Sequence, residues 1–292
     1  MTLTALSLVL LSAVTHAYWN FLLKRSAGGE LFIGLSKLAE ALIFLPAFLV
    51  VALPAMPRDG FVALLVMVAT VGVAANYIFL GLAYRHGDLS LTYPIQRGGT
   101  LLFLPLLAWM TIGERVDAIG ACGLLAILTG VVMLQLPALN AGSLRRLSSH
   151  VRNRAVAFAL LVALTNAIFT LWDKFALRTL SPFTYMYAYT ALVAAGYVAY
   201  ILRRYSAREI AVEWRARRSA IVQVGIFNTI SYLLALAALR TGISSYVVGV
   251  RQLSIAFGVL LGFRLLGEPP TLPRRTGAAL IVSGCLMVSL AR

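Results

Sequence analysis

Long apolar blocks separated by short polar or charged gaps run the whole length of the chain. Read between those gaps, the blocks fall near 3–23, 31–53, 61–84, 89–112 and 117–137, then 154–177, 182–202, 217–239, 244–266 and 272–290. Each comes close to the roughly 20 residues a helix needs to cross a hydrocarbon core. The pattern predicts an all-α integral membrane protein of ten transmembrane helices. Only 138–153 and the arginine-rich 203–216 read as extended polar connections. Ala5 to Tyr18 has the apolar character of a signal peptide but lacks the basic segment such a signal carries. A similar pattern recurs near Ala163, so the first block is expected to be a membrane helix.

Composition turns that pattern into a statement about solvent. The chain is 61% hydrophobic and 12% charged, with a mean hydropathy of +0.89. A soluble domain carries about a quarter charged residues, so lipid is the expected surroundings. The formal net charge of +15 raises nucleic-acid binding as a possibility. The placement of the basic residues argues against it. Pairs such as Lys24-Arg25, Arg145-Arg146 and Arg203-Arg204 sit in gaps between blocks, where cytoplasmic loops meet anionic lipid. Most Lys and Arg fall on the side of the 24–30, 85–88, 138–153, 203–216 and 264–275 loops. The positive-inside rule then predicts both termini outside the cytoplasm, in a multi-pass protein of the inner (plasma) membrane. The two cysteines, Cys122 and Cys285, lie inside apolar blocks without metal-ligand spacing, and no cofactor or metal is indicated.

The two sets of five blocks resemble each other. Thr15-His16-Ala17 with Lys24 matches Thr165-Asn166-Ala167 with Lys174. Ala83 to Gly87 matches Ala238 to Gly242, and Tyr77 falls on Tyr232. Gly113-Glu114, Gly123, Gly130 and Met133 match Gly267-Glu268, Gly277, Gly284 and Met287. The expected organisation is a first five-helix repeat over 1–137, a connecting loop at 138–153 and a second repeat over 154–292. An odd number of spans per half inverts the second half relative to the first. Inverted repeats are characteristic of secondary transporters, whose site lies near the midplane between the halves.

Polar groups inside the blocks are the candidates for that site, because each is costly in lipid unless it faces protein or water. Arg97 and Arg251 open the fourth and ninth blocks, and the repeat transposes the pairs Gln96-Arg97 and Arg251-Gln252. An arginine cannot shed its charge by losing a proton. It either holds an anionic group of a solute or bonds to neighbouring helices or Glu40. Lys37 and Glu40 are spaced for an ion pair within one helix. His16, Trp19 and Asn20 share a face of the first helix, matched by Asn166, Phe169 and Thr170 on the sixth. Asn76-Tyr77, Ser231-Tyr232, Asn228 and Tyr93 add polar groups from other helices. Together they suggest a central aqueous cavity, although ordinary interhelical bonding uses the same residue types. Tyr185, Tyr187 and Tyr189, with Tyr197, Tyr200, Tyr205, Trp109 and Trp214, read as interfacial aromatics. Gly123, Gly130, Gly277 and Gly284 read as close helix contacts, and Glu114 and Glu268 as stabilisers of the helix N-termini that follow them.

Tyr93-Pro94-Ile95-Gln96-Arg97-Gly98 running to Gly113-Glu114-Arg115 resembles the ten-helix EamA-type branch of the drug/metabolite transporter superfamily. Arg251-Gln252-Leu253-Ser254 running to Gly267-Glu268 carries the same likeness in the second half. The fifth block, with Gly123 and Gly130, resembles the last helix of the small multidrug resistance proteins. The resemblance implies a basket of five plus five helices around a cavity, exporting amino acids, other metabolites or drugs, with bacterial aromatic amino-acid exporters as one neighbour. The intramembrane Glu of the small multidrug resistance proteins' first helix is absent, and His16 and Trp19 occupy that region. Coupling would then fall to Glu40 or His16.

These observations lead to an expected exporter of small zwitterionic or anionic metabolites, amino acids first, working by alternating access, with one copy sufficient. Its substrate-binding candidates are His16, Trp19, Tyr77, Tyr93, Arg97, Asn166, Tyr232, Arg251 and Gln252. The alternative is multidrug efflux of lipophilic cations, for which Glu40 is the acidic candidate. An enzyme is disfavoured, because His16, His86 and His150 are dispersed and every Asp falls at a helix end.

Overall fold

The computed structural model describes residues 1–26, 29–87, 89–136, 154–265, 267, 269 and 271–291. The connecting loop at 138–153 and Glu268 lie outside the described residues. Among the described residues ten helices follow one another: α1 (Leu3–Arg25), α2 (Glu30–Ala55), α3 (Gly60–His86), α4 (Leu89–Ile112), α5 (Ala118–Met133), α6 (Arg154–Ala176), α7 (Pro182–Arg204), α8 (Ala207–Thr241), α9 (Ser244–Leu265) and α10 (Leu272–Leu290). Eight of them are long and apolar enough to cross a membrane; α5 is apolar but has only 16 residues.

Side-chain caps decide several of the starts. Asp59 accepts from the Val62 N–H at 2.8 Å, Asp117 from Gly120 at 2.7 Å and Ser181 from Thr184 at 3.1 Å. Each satisfies an N–H that the first helical turn leaves without a partner. The largest departure from the sequence pattern is α8, which begins at Ala207 rather than near 217. Ser206 and Glu209 form a reciprocal capping box there, and Arg217 bonds Glu213 one turn away at 2.8 Å. The arginine-rich stretch read as a loop is therefore the polar first third of a 35-residue helix. Hydropathy marks where a helix enters lipid, not where it starts.

Two helices are irregular. Pro46 removes an N–H from α2, which continues through a π-helical stretch at Phe48–Ala52. The helix α9 is interrupted at Gln252, between segments Ser244–Arg251 and Leu253–Leu265. Short i→i−3 bonds bracket the break: Gln252 N–H to the Gly249 carbonyl at 3.0 Å and Ile255 N–H to Gln252 at 2.8 Å. No proline accounts for it.

Packing is closest between α5 and α10. A Cβ on Gly123 would come within 2.7 Å of the Gly284 carbonyl oxygen, and one on Gly277 would come equally near that of Gly130. Backbone meets backbone at these points, as small residues permit in lipid. Helix α1 packs on α8 and α9, while α6 packs on α3 and α4. Gly113 and Gly267 take positive φ, 70° and 66°, at the turns that end α4 and α9. Large apolar side chains such as Val50 (75% exposed), Val71, Leu102 and Leu286 have no protein cover, which is the ordinary outer surface of a protein solvated by lipid.

Candidate functional site: a cavity with two arginines in its wall

A cavity of about 260 Å³ opens among α2, α3, α4, α6, α7, α8 and α9. Its walls hold Lys37, Glu40, Asn76, Tyr77, Arg97, Thr100, Asn166, Asn228, Tyr232, Arg251 and Gln252. The aromatic and apolar lining includes Phe169, Tyr189, Met186 and Val248. Of the residues singled out from the sequence, Tyr77, Arg97, Asn166, Tyr232, Arg251, Gln252 and Glu40 therefore lie at the cavity. His16, Trp19 and Tyr93 stand behind it. Tyr93 lies beneath the Arg97 guanidinium, 5.5 Å from ring centroid to Cζ. His16 Nδ1 is 3.3 Å from an Arg251 nitrogen, and its ring meets Trp19 edge-on at 5.0 Å.

The polar lining sorts into satisfied and unsatisfied groups. Lys37 Nζ lies 2.9 Å from Glu40 Oε2, and Asn228 donates to the same oxygen at 3.0 Å. The Asn76 amide donates to Thr165 Oγ1 at 2.9 Å and Asn166 Oδ1 at 3.0 Å, tying α3 to α6. By contrast, Arg97 and Arg251 have no carboxylate within ion-pair distance among the described residues. Arg251 leans on the face of Tyr232 at 5.3 Å. Its Nε and the neighbouring Gln252 Oε1 are buried without a hydrogen-bond partner, as is Trp19 Nε1. A donor and an acceptor left open side by side, at the break in α9, are unusual, because buried polar groups are nearly always satisfied. Broken helices at the midplane are where secondary transporters place their solutes. Among the described residues no group of three His, Cys, Asp or Glu side chains could hold a metal ion.

Towards the face carrying both termini, polar groups from several helices pair with one another. Lys174 pairs with Glu114 and donates to the Gly242 carbonyl. Glu114 also accepts from the Ser244 N–H at 2.8 Å. Glu114 thus serves the N-terminus of α9 rather than that of α5, which Asp117 already caps. Tyr246, fully buried, donates to Asp117 at 3.1 Å.

Residues 153–290 match the family model of the EamA-like transporter family. The match covers the second of the two sets of five helices. The family's members are membrane transporters of the drug/metabolite transporter superfamily, and the long apolar helices described above mark this chain as a multi-pass membrane protein. A crystal structure described only as "Crystal structure of protein" is 16% identical, with a TM-score of 0.75 over 99% of this chain and 98% of that one. That likeness shows that the two chains share a fold over nearly their whole length and says nothing of the solute. No curated protein matches the chain.

Two features of the site were misread in the sequence. Tyr185, Tyr187 and Tyr189 are not interfacial: they are 0%, 4% and 5% exposed, packed inside the bundle. Asp173, dismissed with the other Asp residues as a helix-end group, is 2% exposed and bonded to Tyr185 and Tyr232. The i, i+4 spacing of Tyr185 and Tyr189 was the available signal, since it puts both on one helix face.

Proposed function

We propose that this transporter moves small zwitterionic or anionic metabolites, amino acids first among them, out of the cell across the inner membrane by alternating access between two inverted halves. The observation that carries the reading is the charge balance of the cavity. Lys37 and Glu40 neutralise each other, which leaves the Arg97 and Arg251 guanidinium groups without a carboxylate at ion-pair distance among the described residues. A solute carboxylate supplies the missing anion; the open Arg251 Nε donates to it and Gln252 Oε1 accepts from a donor elsewhere on the solute. Tyr77, Tyr189, Phe169 and Tyr232 contact the remainder. Lipophilic cations fit less well. The acid they would need, Glu40, is already engaged by Lys37 and Asn228, and two arginines repel them.

The matched neighbours of α1 and α6, the paired glycines of α5 and α10 and the two positive-φ turns support the inverted halves. The basic face, at the 24–30 and 203–206 ends of the helices, is the cytoplasmic one in this reading.

Counterflow uptake by proteoliposomes, across a panel of labelled neutral amino acids, tests it. Uptake above that of empty liposomes is expected for several of them. The double substitution Arg97→Gln with Arg251→Gln should abolish it while the protein still elutes as a folded species. Full uptake by that variant would refute the arginine role.

A further inference from the structure

Asp173 lies in the last turn of α6, buried among α7, α8 and α9. Its Oδ1 accepts from the Tyr185 hydroxyl at 2.8 Å and its Oδ2 from the Tyr232 hydroxyl at 2.6 Å. No Lys or Arg stands within ion-pair distance of it among the described residues. Lys174, the next residue, is committed to Glu114 and the Gly242 carbonyl. Arg251 acts on Asp173 only through space, from its place against the Tyr232 ring. Tyr189 meets Tyr185 edge-on at 5.2 Å and Tyr232 at 6.5 Å, which completes an aromatic wall. His16 stands behind Arg251.

A buried carboxylate is tolerated when paired and hydrogen-bonded, and costly otherwise. Here two phenols satisfy one lone pair on each oxygen but bring no positive charge. A proton is the cation that fits, because the surrounding oxygens are too few to ligate a metal ion. Tyr232 also lines the solute cavity, so its hydroxyl is the link between cavity water and the carboxyl group.

We infer that Asp173 is a proton-binding site coupled to transport, loaded from the cavity through Tyr232; the inference rests on the transporter reading above. In the loading step Tyr232 passes its hydroxyl proton to Asp173 Oδ2 and takes one from a cavity hydronium. One O–H bond forms on the carboxyl group and one breaks on the phenol, which is remade with the hydronium's proton, so the phenol ends neutral and the hydronium is left as water. Oδ2 then changes from acceptor to donor, and the Tyr232 hydroxyl must turn. Arg251 rests on that ring and loses the through-space attraction of the carboxylate. Proton binding at Asp173 and anion binding at Arg251 therefore favour each other, the linkage that couples two sites.

Infrared difference spectroscopy of the full chain in liposomes, recorded on a step from alkaline to acidic buffer, reads the site without any solute. The expected result is a protonated-carboxyl C=O band that is lost in Asp173→Asn and moves in Tyr185→Phe, which keeps the carboxyl group but removes one donor. An Asp173→Asn spectrum identical to that of the wild type overturns the proposal, and so does an unmoved band in Tyr185→Phe should the Asn variant not fold. Proteoliposome uptake of labelled amino acids supplies the second arm. Wild-type uptake should respond to a pH gradient, whereas Asp173→Asn should show the same uptake with and without one. A response that follows sodium instead of the pH gradient overturns proton coupling. An Asp173 band that titrates in protein taking up no amino acid sustains the proton site and removes the solute assignment.

Discussion

Glu40 and Asp173 are both carboxyl groups buried inside the helix bundle, at 3% and 2% exposure, yet they are held in opposite ways. Glu40, at the cavity wall, has the Lys37 ammonium and the Asn228 amide on one oxygen. Asp173, behind the Tyr232 wall, has only phenols. A charge matched by a charge three residues away in its own helix is a fixed feature of the wall. A carboxyl group held by neutral donors has no such fixed counter-charge, which is the ground for proposing a proton there. Glu40, suggested by the sequence with His16 as a coupling candidate, is on the proposal above the less suitable of the two acids, and its pairing with Lys37 leaves the charge balance of the cavity to the arginines.

The largest effect is expected from Lys37→Met, which strands the Glu40 charge. Breaking a buried pair from one side costs about 3–5 kcal/mol, read as a fall in unfolding midpoint in detergent. Adding Glu40→Gln to that variant should restore most of the loss. If Lys37→Met were no more damaging than Asp173→Asn, the contrast between the two acids would collapse.

Asp173→Asn comes next, at about 1–2 kcal/mol, because the amide keeps one acceptor and leaves one phenol poorly matched. Tyr185→Phe is expected to have the smallest effect, about 0.5–1.5 kcal/mol for one hydrogen bond to a retained partner. The same unfolding series measures both. A Tyr185→Phe loss as large as that of Lys37→Met would mean that the phenols hold a permanent charge, not an exchangeable proton.

Much of the fold was legible because lipid imposes a simple rule. Backbone groups must bond within each span, so apolar length alone marks the helices. The start of α8 escaped that rule since its first turns are polar and capped by Ser206 and Glu209. The cavity residues were legible one at a time, as costly polar groups in apolar blocks. Their partners were not. Nothing local in the chain says that Asn228 finds Glu40 across 188 positions, or that Tyr232 finds Asp173 across 59. Tyr185, Tyr187 and Tyr189 were misassigned for the same reason: nearness to a span end says nothing about which neighbours cover that end.

The sequence by itself therefore determined the solvent, the helical class, the family likeness and the short list of intramembrane charges, all of which follow from local composition and from spacing along one helix. Tertiary structure decided which charges cancel and which stay open. That choice depends on distances between helices far apart in the chain, where a few ångströms separate an ion pair from an unpaired guanidinium. Lys37 and Glu40 meet on one helix and could be paired from their numbers alone; Arg251, Tyr232 and Asp173 become a unit only when α6, α8 and α9 are packed together.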